Sequence, residues 1–249
     1  MAFYVGVDGC KAGWFAVALA ENDAWDAAVF PDVVSLWERF KDAVLILVDV
    51  PIGLRDRGPE ERACDLEARR LLKWPRRSSV FRVPCRSAVY ASTWEEASRI
   101  NEELTGKRFP KQSWGIVRKI REVDEFLETH GEARFRLRET HPEVCFWALA
   151  GRPMEHRKKT HAGFEERLEV LRSVCPAANT IVQRALSGWR RSQVVRDDVL
   201  DALVAAVSAK MGAGELTSLP ATSECDSKGL QMEIVYPALG RICLKDVGG

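Results

Sequence analysis

Seven cysteines occur in 249 residues, at positions 10, 64, 85, 145, 175, 225 and 243, but their number is odd and no two form a Cys-x-x-Cys pair. A disulfide framework is therefore not expected, and a chain of this length buries enough core to do without one. Histidine is scarce. The four present are not spaced to complete a structural zinc site with those cysteines. No apolar run approaches the roughly 20 residues that a membrane-spanning helix needs, so no membrane partner is expected. No charged-then-apolar leader follows Met1, which argues against a signal peptide. Free thiols without a leader point to a reducing, cytoplasmic compartment. Neither sign of charge dominates, with 37 Lys+Arg against 36 Asp+Glu. A nucleic-acid surface would have to come from local clustering. There is no internal repeat and no low-complexity linker, so residues 1–249 are expected to form one domain.

The chain is organised around Tyr4-Val5-Gly6-Val7-Asp8-Gly9-Cys10-Lys11-Ala12-Gly13-Trp14. Val5 and Val7 are β-branched and alternate, which reads as a strand. Asp8 stands at its end, and Gly9 and Gly13 allow a tight reversal. Strands are predicted at about 3–8, about 14–20 and Trp25 to Phe30, forming an antiparallel meander. Val33 to Phe40 has helical spacing. Ala43 to Asp49 is unbroken apolar chain up to its carboxylate, as in a central strand covered on both faces. Pro51 and Gly53 end it.

Residues 54–130 read as a helical insertion. Helices are predicted over Pro59 to Lys73, over Ser92 to Leu104 with Ser92 or Thr93 as cap, and over Gln112 to Leu127. From Arg69 to Arg86 there are seven basic residues and no acid, with Trp74 and Phe81 among them. Ala133 to Glu139 alternates as a strand with Phe135 and Leu137 inward. Thr140-His141-Pro142-Glu143 then opens a helix, with Thr140 as N-cap and Glu143 at the capping-box position. Helices follow over Gly163 to Val174, Ala177 to Leu186 and Arg196 to Met211. Met232 to Tyr236 and Ile242 to Leu244 are read as a terminal hairpin or as a segment over the sheet edge.

Asp8, Asp49 and Glu139 each end a strand, and Asp198 and Asp201 share a helix face. If the three strands are neighbours, four or five carboxylates meet at one rim. Close like charges cannot all stay ionised without a cation. Hard oxygen donors without Cys or His favour Mg²⁺ or Mn²⁺. Two such ions can clamp the attacking and leaving oxygens of phosphoryl transfer. The plainer roles stand beside this. A strand-terminal Asp is often a turn residue, Asp197 and Asp198 suit a helix cap, and His141 suits a turn. A basic cluster such as 69–86, or Lys158-Lys159, is often only a solvated face.

These segments resemble the domain-of-unknown-function family described as predicted ribonuclease-H-like nucleases. The resemblance lies in Val5 to Trp14, Val48-Asp49-Val50-Pro51-Ile52-Gly53-Leu54, Ser79-Val80-Phe81, Glu139 to Glu143, Lys158-Lys159 with Gly163, and Asp197 to Ala202. It implies an α/β, ribonuclease-H-like fold. That fold is a five-stranded mixed sheet, its first three strands antiparallel, flanked by helices. A likeness to RuvC-type Holliday-junction resolvases is also implied. By that likeness Asp8 and Asp49 take the metal positions on neighbouring strands, and Asp198 and Asp201 the paired acids of the last helix. The resolvase pattern commonly has Glu where this chain has Asp49, and Glu139 could supply the missing reach.

The sequence therefore predicts a metal-dependent phosphodiesterase acting on DNA or RNA. Asp8, Asp49, Asp198 and Asp201 would hold the ions, with Glu139 completing the catalytic set. Lys158 or Lys159 would stabilise developing charge. Arg76, Arg77 and Arg82 would hold the backbone, and Trp74 or Phe81 would stack on a base. Two rivals stand. One is a non-catalytic nucleic-acid-binding module on the same fold. The other is an ATP-binding protein of the actin and sugar-kinase group, which needs a second copy of the core. The oligomeric state, a homodimer included, stays open.

Overall fold

A computed structural model describes residues 2–213 and 215–238. The first three strands are β1 (Phe3–Cys10), β2 (Gly13–Ala20) and β3 (Trp25–Phe30). Helix α1 (Val33–Phe40) follows, N-capped by Asp32, and leads into β4 (Leu45–Val48). After a long helical excursion the chain returns as β5 (Leu137–Glu139). The sheet order is β3-β2-β1-β4-β5. β1–β2 and β2–β3 are antiparallel, while β1–β4 and β4–β5 are parallel. The five-stranded mixed sheet with an antiparallel leading trio is thus as the sequence implied.

Side chains alternate across this sheet and feed two cores. Val5, Val7, Trp14, Ala16 and Ala18 pack with α1 and with α5 (Trp114–Thr129). Phe15, Val17 and Leu19 face the opposite layer, as does β1 through Tyr4. That layer is built from α6 (Pro142–Ala150), α7 (His161–Val174), α8 (Ala178–Gly188) and α9 (Arg196–Met211). Period two puts Gly6 and Asp8 on the same face as Tyr4. α9 is buried from Val199 to Ala209 and lies directly on β1. Small residues make the approach possible. A Cβ on Gly6 would stand 2.1 Å from the Ala202 carbonyl oxygen and 2.1 Å from the Ala206 nitrogen.

The excursion between β4 and β5 carries α2 (Ala63–Arg76), α3 (Arg86–Val89), α4 (Trp94–Thr105) and α5. Several local expectations need correction. α2 starts at Ala63, so Pro59 precedes the helix, and the helix is kinked at Lys73 and Trp74. Only Leu137–Glu139 of the 133–139 segment is strand. Residues Gly131–Phe135 form a 3₁₀ turn, and Phe135 is 84% exposed. α6 is capped by His141, whose Nδ1 accepts from the Glu143 N–H at 3.2 Å. Thr140 instead donates to the Val235 carbonyl at 2.6 Å. On α4 the expected cap holds, with Thr93 Oγ1 accepting from Glu96 N and Glu96 accepting from Ser92 N.

Met232 to Tyr236 lies in a hairpin, and its partner there is an earlier strand in place of the expected Ile242 to Leu244. β6 (Leu216–Cys225) pairs with β7 (Gln231–Pro237). The hairpin covers the β5 edge through Thr140 and through Arg138, which bonds Glu233 at 2.8 Å. Ile242 to Leu244 lies outside the described residues. Among the described residues the second sheet has only these two strands, so a second copy of the five-stranded core is not present. No helix among them is long and apolar enough to cross a membrane. The six described cysteines are free, and four are buried.

Candidate active site

The parallel ladder sets the first two acids side by side. Asp8 lies near the end of β1, and Asp49 directly follows β4. The Asp49 N–H continues the ladder by donating to Val7 O at 2.9 Å. α9 crosses over the same edge and brings Asp201 on its second turn. Its first turn carries Asp198, whose Oδ2 accepts from the Val195 N–H at 2.9 Å. Val195 is thus the N-cap, and Asp198, not Asp197, is the N3 side chain that reaches back to it. The fifth member is a base: Lys158 Nζ donates to Asp201 Oδ2 at 2.8 Å.

Lys158 is placed by a rigid turn. Thr160 N-caps α7 by accepting from Gly163 N and donates to the Arg157 carbonyl. Gly163 lies so close to that carbonyl that a Cβ would stand 2.0 Å from it. Arg167 is fully buried, donates to the Gly163 and His156 carbonyls, and pairs with Glu143. The backbone around Lys158 is therefore held from below, while its side chain remains partly exposed.

The electrostatics are those of an acid cluster short of positive charge. Burial first, then Asp49, Asp201 and Asp198, hold the Asp8 carboxyl well above the usual carboxylate range, and Lys158 opposes them. Asp49 is pushed up to about 6 by burial and by Asp201, against His141 and Lys158. Asp198 is pushed up to about 6, again mainly by burial. Lys158 is raised in turn by Asp201, Asp8 and Asp49. Asp8 and Asp49 accept no hydrogen bond from the described residues.

A pH signature follows. Asp49 and Asp198 keep protons up to about pH 6 in the folded protein, but only to about pH 4 when unfolded. The folded state binds more protons in that window, so stability falls as pH rises through it. The contribution is complete below about pH 4 and gone above about pH 6. Thermal melts of metal-free protein should therefore give a Tm that climbs as the pH drops from 7.5 towards 5. A Tm that falls over that range would contradict this electrostatic picture.

Glu139 has a different environment. Arg62, 2% exposed, donates Nη2 to Glu139 Oε1 at 2.6 Å and Nη1 to Oε2 at 2.8 Å. The same guanidinium holds Asp65 through Nε and Nη2 and caps the Ile52 and Gly53 carbonyls. Ile52 N–H also donates to Glu139 Oε2 at 2.6 Å. Both Glu139 oxygens are thus engaged in a brace that fixes the turn after Asp49. Replacing Arg62 by methionine strands two buried carboxylates, and urea denaturation should register a loss of about 3 kcal/mol. A loss below about 1 kcal/mol would mean that the brace is not structural.

The basic stretch is likewise divided by the fold. Arg69, Arg82 and Arg86 turn inward to Glu61, Asp124 and Asp226, and Arg82 also caps the Pro59 carbonyl. Arg77 and Lys159 are exposed, and Arg76 reaches the His156 carbonyl at 3.3 Å. Trp74 is 78% exposed. Beside the acids lies a cavity of about 140 Å³. Its polar lining includes Asp49, Glu139, His141, Glu143, Lys158 and Asp201, and its apolar lining Val80, Phe81 and Ile116. From sequence Phe81 is the alternative to Trp74 for stacking on a base, and Glu143 is a capping-box residue and not a ligand.

The donor set suits a hard divalent cation in kind: carboxylates only, two of them without hydrogen-bond partners. It is not a ready-made shell. Among the described residues no three Asp, Glu, His or Cys side chains stand as a group able to hold a metal ion. The cation on Asp201 is Lys158.

Fold and site together define an α/β protein whose charged centre sits where the parallel strands of a mixed sheet meet a covering helix. The chain belongs to the family described as "Protein of unknown function (DUF429)", which matches residues 6–225. That span includes every acid of the cluster and Lys158. No curated protein and no solved structure matches the chain.

Proposed function

We propose that this protein is a divalent-cation-dependent phosphodiesterase acting on DNA or RNA, built on a ribonuclease-H-like core. One observation carries the reading. Carboxylates from β1, the end of β4 and α9 converge on one rim, raise one another's proton affinity and share a single lysine. Asp8, Asp49 and Asp201 would hold Mg²⁺ or Mn²⁺, with the oxygen of Asp198 that does not reach back to Val195 as a fourth donor. A bound divalent ion supplies charge neutralisation at phosphate and a more acidic water. Lys158, on its fixed turn, offers an ammonium to a phosphate oxygen. Arg76, Arg77 and the exposed Trp74 suit the strand outside the pocket, where a base stacks on the indole.

The binding-module reading is favoured by the lysine already seated on Asp201 and the lack of a ready-made metal group. One set of assays separates the two. Purified protein is given single- and double-stranded DNA and RNA with Mg²⁺ or Mn²⁺. Cleavage that falls at least about a thousandfold in Asp49→Asn supports the enzyme. Salt-dependent binding without cleavage, unchanged in Asp49→Asn, supports the module. Neither binding nor cleavage removes both.

A further inference from the structure

The rim cavity contains a carboxylate that the acid cluster does not account for. Glu143 is 6% exposed and lines the cavity with Asp49, Lys158 and Asp201. Its Oε1 receives Arg167 Nε at 3.2 Å, and Arg167 Nη2 donates to the same oxygen. Its Oε2 is buried and has no hydrogen-bond partner among the described residues.

The neighbouring brace shows what a purely structural pair looks like here. Glu139 gives both oxygens to Arg62, one nitrogen each, and adds a backbone N–H. Arg167 instead takes a single oxygen of Glu143, although two would fit its planar fork. Leaving a buried carboxylate oxygen without a donor is unfavourable. The charge is also placed where it is felt, since Glu143 raises the proton affinity of Asp49. His141 fixes the first turn of α6 by accepting the Glu143 N–H, so the carboxylate is held at the pocket wall.

We infer that Glu143 belongs to the site: its free Oε2, together with Asp49, takes a hydrated divalent cation in the rim cavity, while Arg167 binds only the other oxygen. This rests on the reading of the site as a divalent-cation centre. It adds a ligand from α6, an element outside the three that carry the acid cluster.

The test measures Mn²⁺ binding by electron paramagnetic resonance and calorimetry on wild type, Glu143→Gln and Arg167→Lys. Glutamine keeps an acceptor for Arg167 but removes the charge. Glu143→Gln should weaken Mn²⁺ at least about tenfold, and it should also lower Tm, because the buried Arg167 guanidinium loses its counter-charge. Arg167→Lys should lower Tm and leave the Mn²⁺ affinity within about threefold. Should Glu143→Gln not fold, Glu143→Asp, which withdraws the free oxygen and keeps the charge, is expected to weaken Mn²⁺ similarly. The inference is overturned if the Glu143 variants bind as wild type does. It is equally overturned if Arg167→Lys weakens Mn²⁺ as much as they do, because Glu143 would then act only through the brace. Wild type that binds no Mn²⁺ at millimolar concentration would instead remove the divalent-cation reading itself, and this inference with it.

Discussion

Replacing Gly6 by valine is expected to leave almost no folded protein. Gly6 sits on an ordinary stretch of β1, and its backbone angles are not the reason for glycine. The reason is contact. A Cβ would meet the Ala202 oxygen and Ala206 nitrogen at 2.1 Å and the Ala205 carbonyl carbon at 2.7 Å. All three are backbone atoms of a regular helix, so no side-chain rotation relieves the clash. α9 would have to lift from the sheet, exposing helix residues buried from Val199 to Ala209. Ordinary overpacking costs about 1–3 kcal/mol. Here the loss should approach the whole stability of a domain, about 5–15 kcal/mol. Soluble yield, circular dichroism and urea denaturation read the outcome. Gly115 on α5 has nothing within 4 Å of an added Cβ, so Gly115→Ala is the matched control and should be neutral or slightly stabilising. A Gly6→Val protein that unfolds cooperatively near the wild-type midpoint would show that α9 does not press on β1.

Asp8→Asn should move stability and activity in opposite directions. Asp8 is 8% exposed, accepts no hydrogen bond from the described residues and faces Asp49, Asp201 and Asp198. Asparagine keeps the shape and removes one of the repelling charges. Metal-free protein should therefore gain about 1 kcal/mol, or roughly 2–4 °C in Tm. Cleavage should drop at least about a thousandfold, because an amide is a poor ligand for a hard cation. Calorimetry without metal and a nuclease assay with Mn²⁺ give the two readings. A variant that loses both stability and activity would make Asp8 a structural residue, and the site assignment would fail.

The sequence pattern carried most of the sheet and its order of strands. The β1–β4 strands, α1 and α9 were legible because each is a strongly periodic or unbroken apolar segment with a clear stop. The convergence of Asp8, Asp49 and Asp201 followed from the resemblance and from strand-end positions. What was illegible depends on partners far along the chain. Arg62 meets Glu139 across 77 positions, and Lys158 meets Asp201 across 43. The 69–86 stretch looked like a free basic surface because the acids that pair with Arg69, Arg82 and Arg86 lie outside that window. β6 was missed because Pro220 and its polar residues weaken the apolar alternation, and its pairing with β7 supplies the order instead. Phe135 matched an inward strand position by pattern alone, yet a 3₁₀ turn faces it outward. His141 replaced Thr140 as cap because the Thr140 hydroxyl is drawn to the β7 backbone.

The seating of α9 on Gly6 has a consequence for how the protein is made. The notch in β1 is synthesised first, and the helix that fills it emerges about two hundred residues later. At ribosomal rates of about 5–20 residues per second, that is a wait of roughly 10–40 s. Throughout it the leading meander shows a bare apolar face, open to a holding chaperone or to a neighbouring nascent chain. The acids acquire their lysine and their lid only after that delay, so a ribosome-bound fragment ending before residue 196 has no assembled centre.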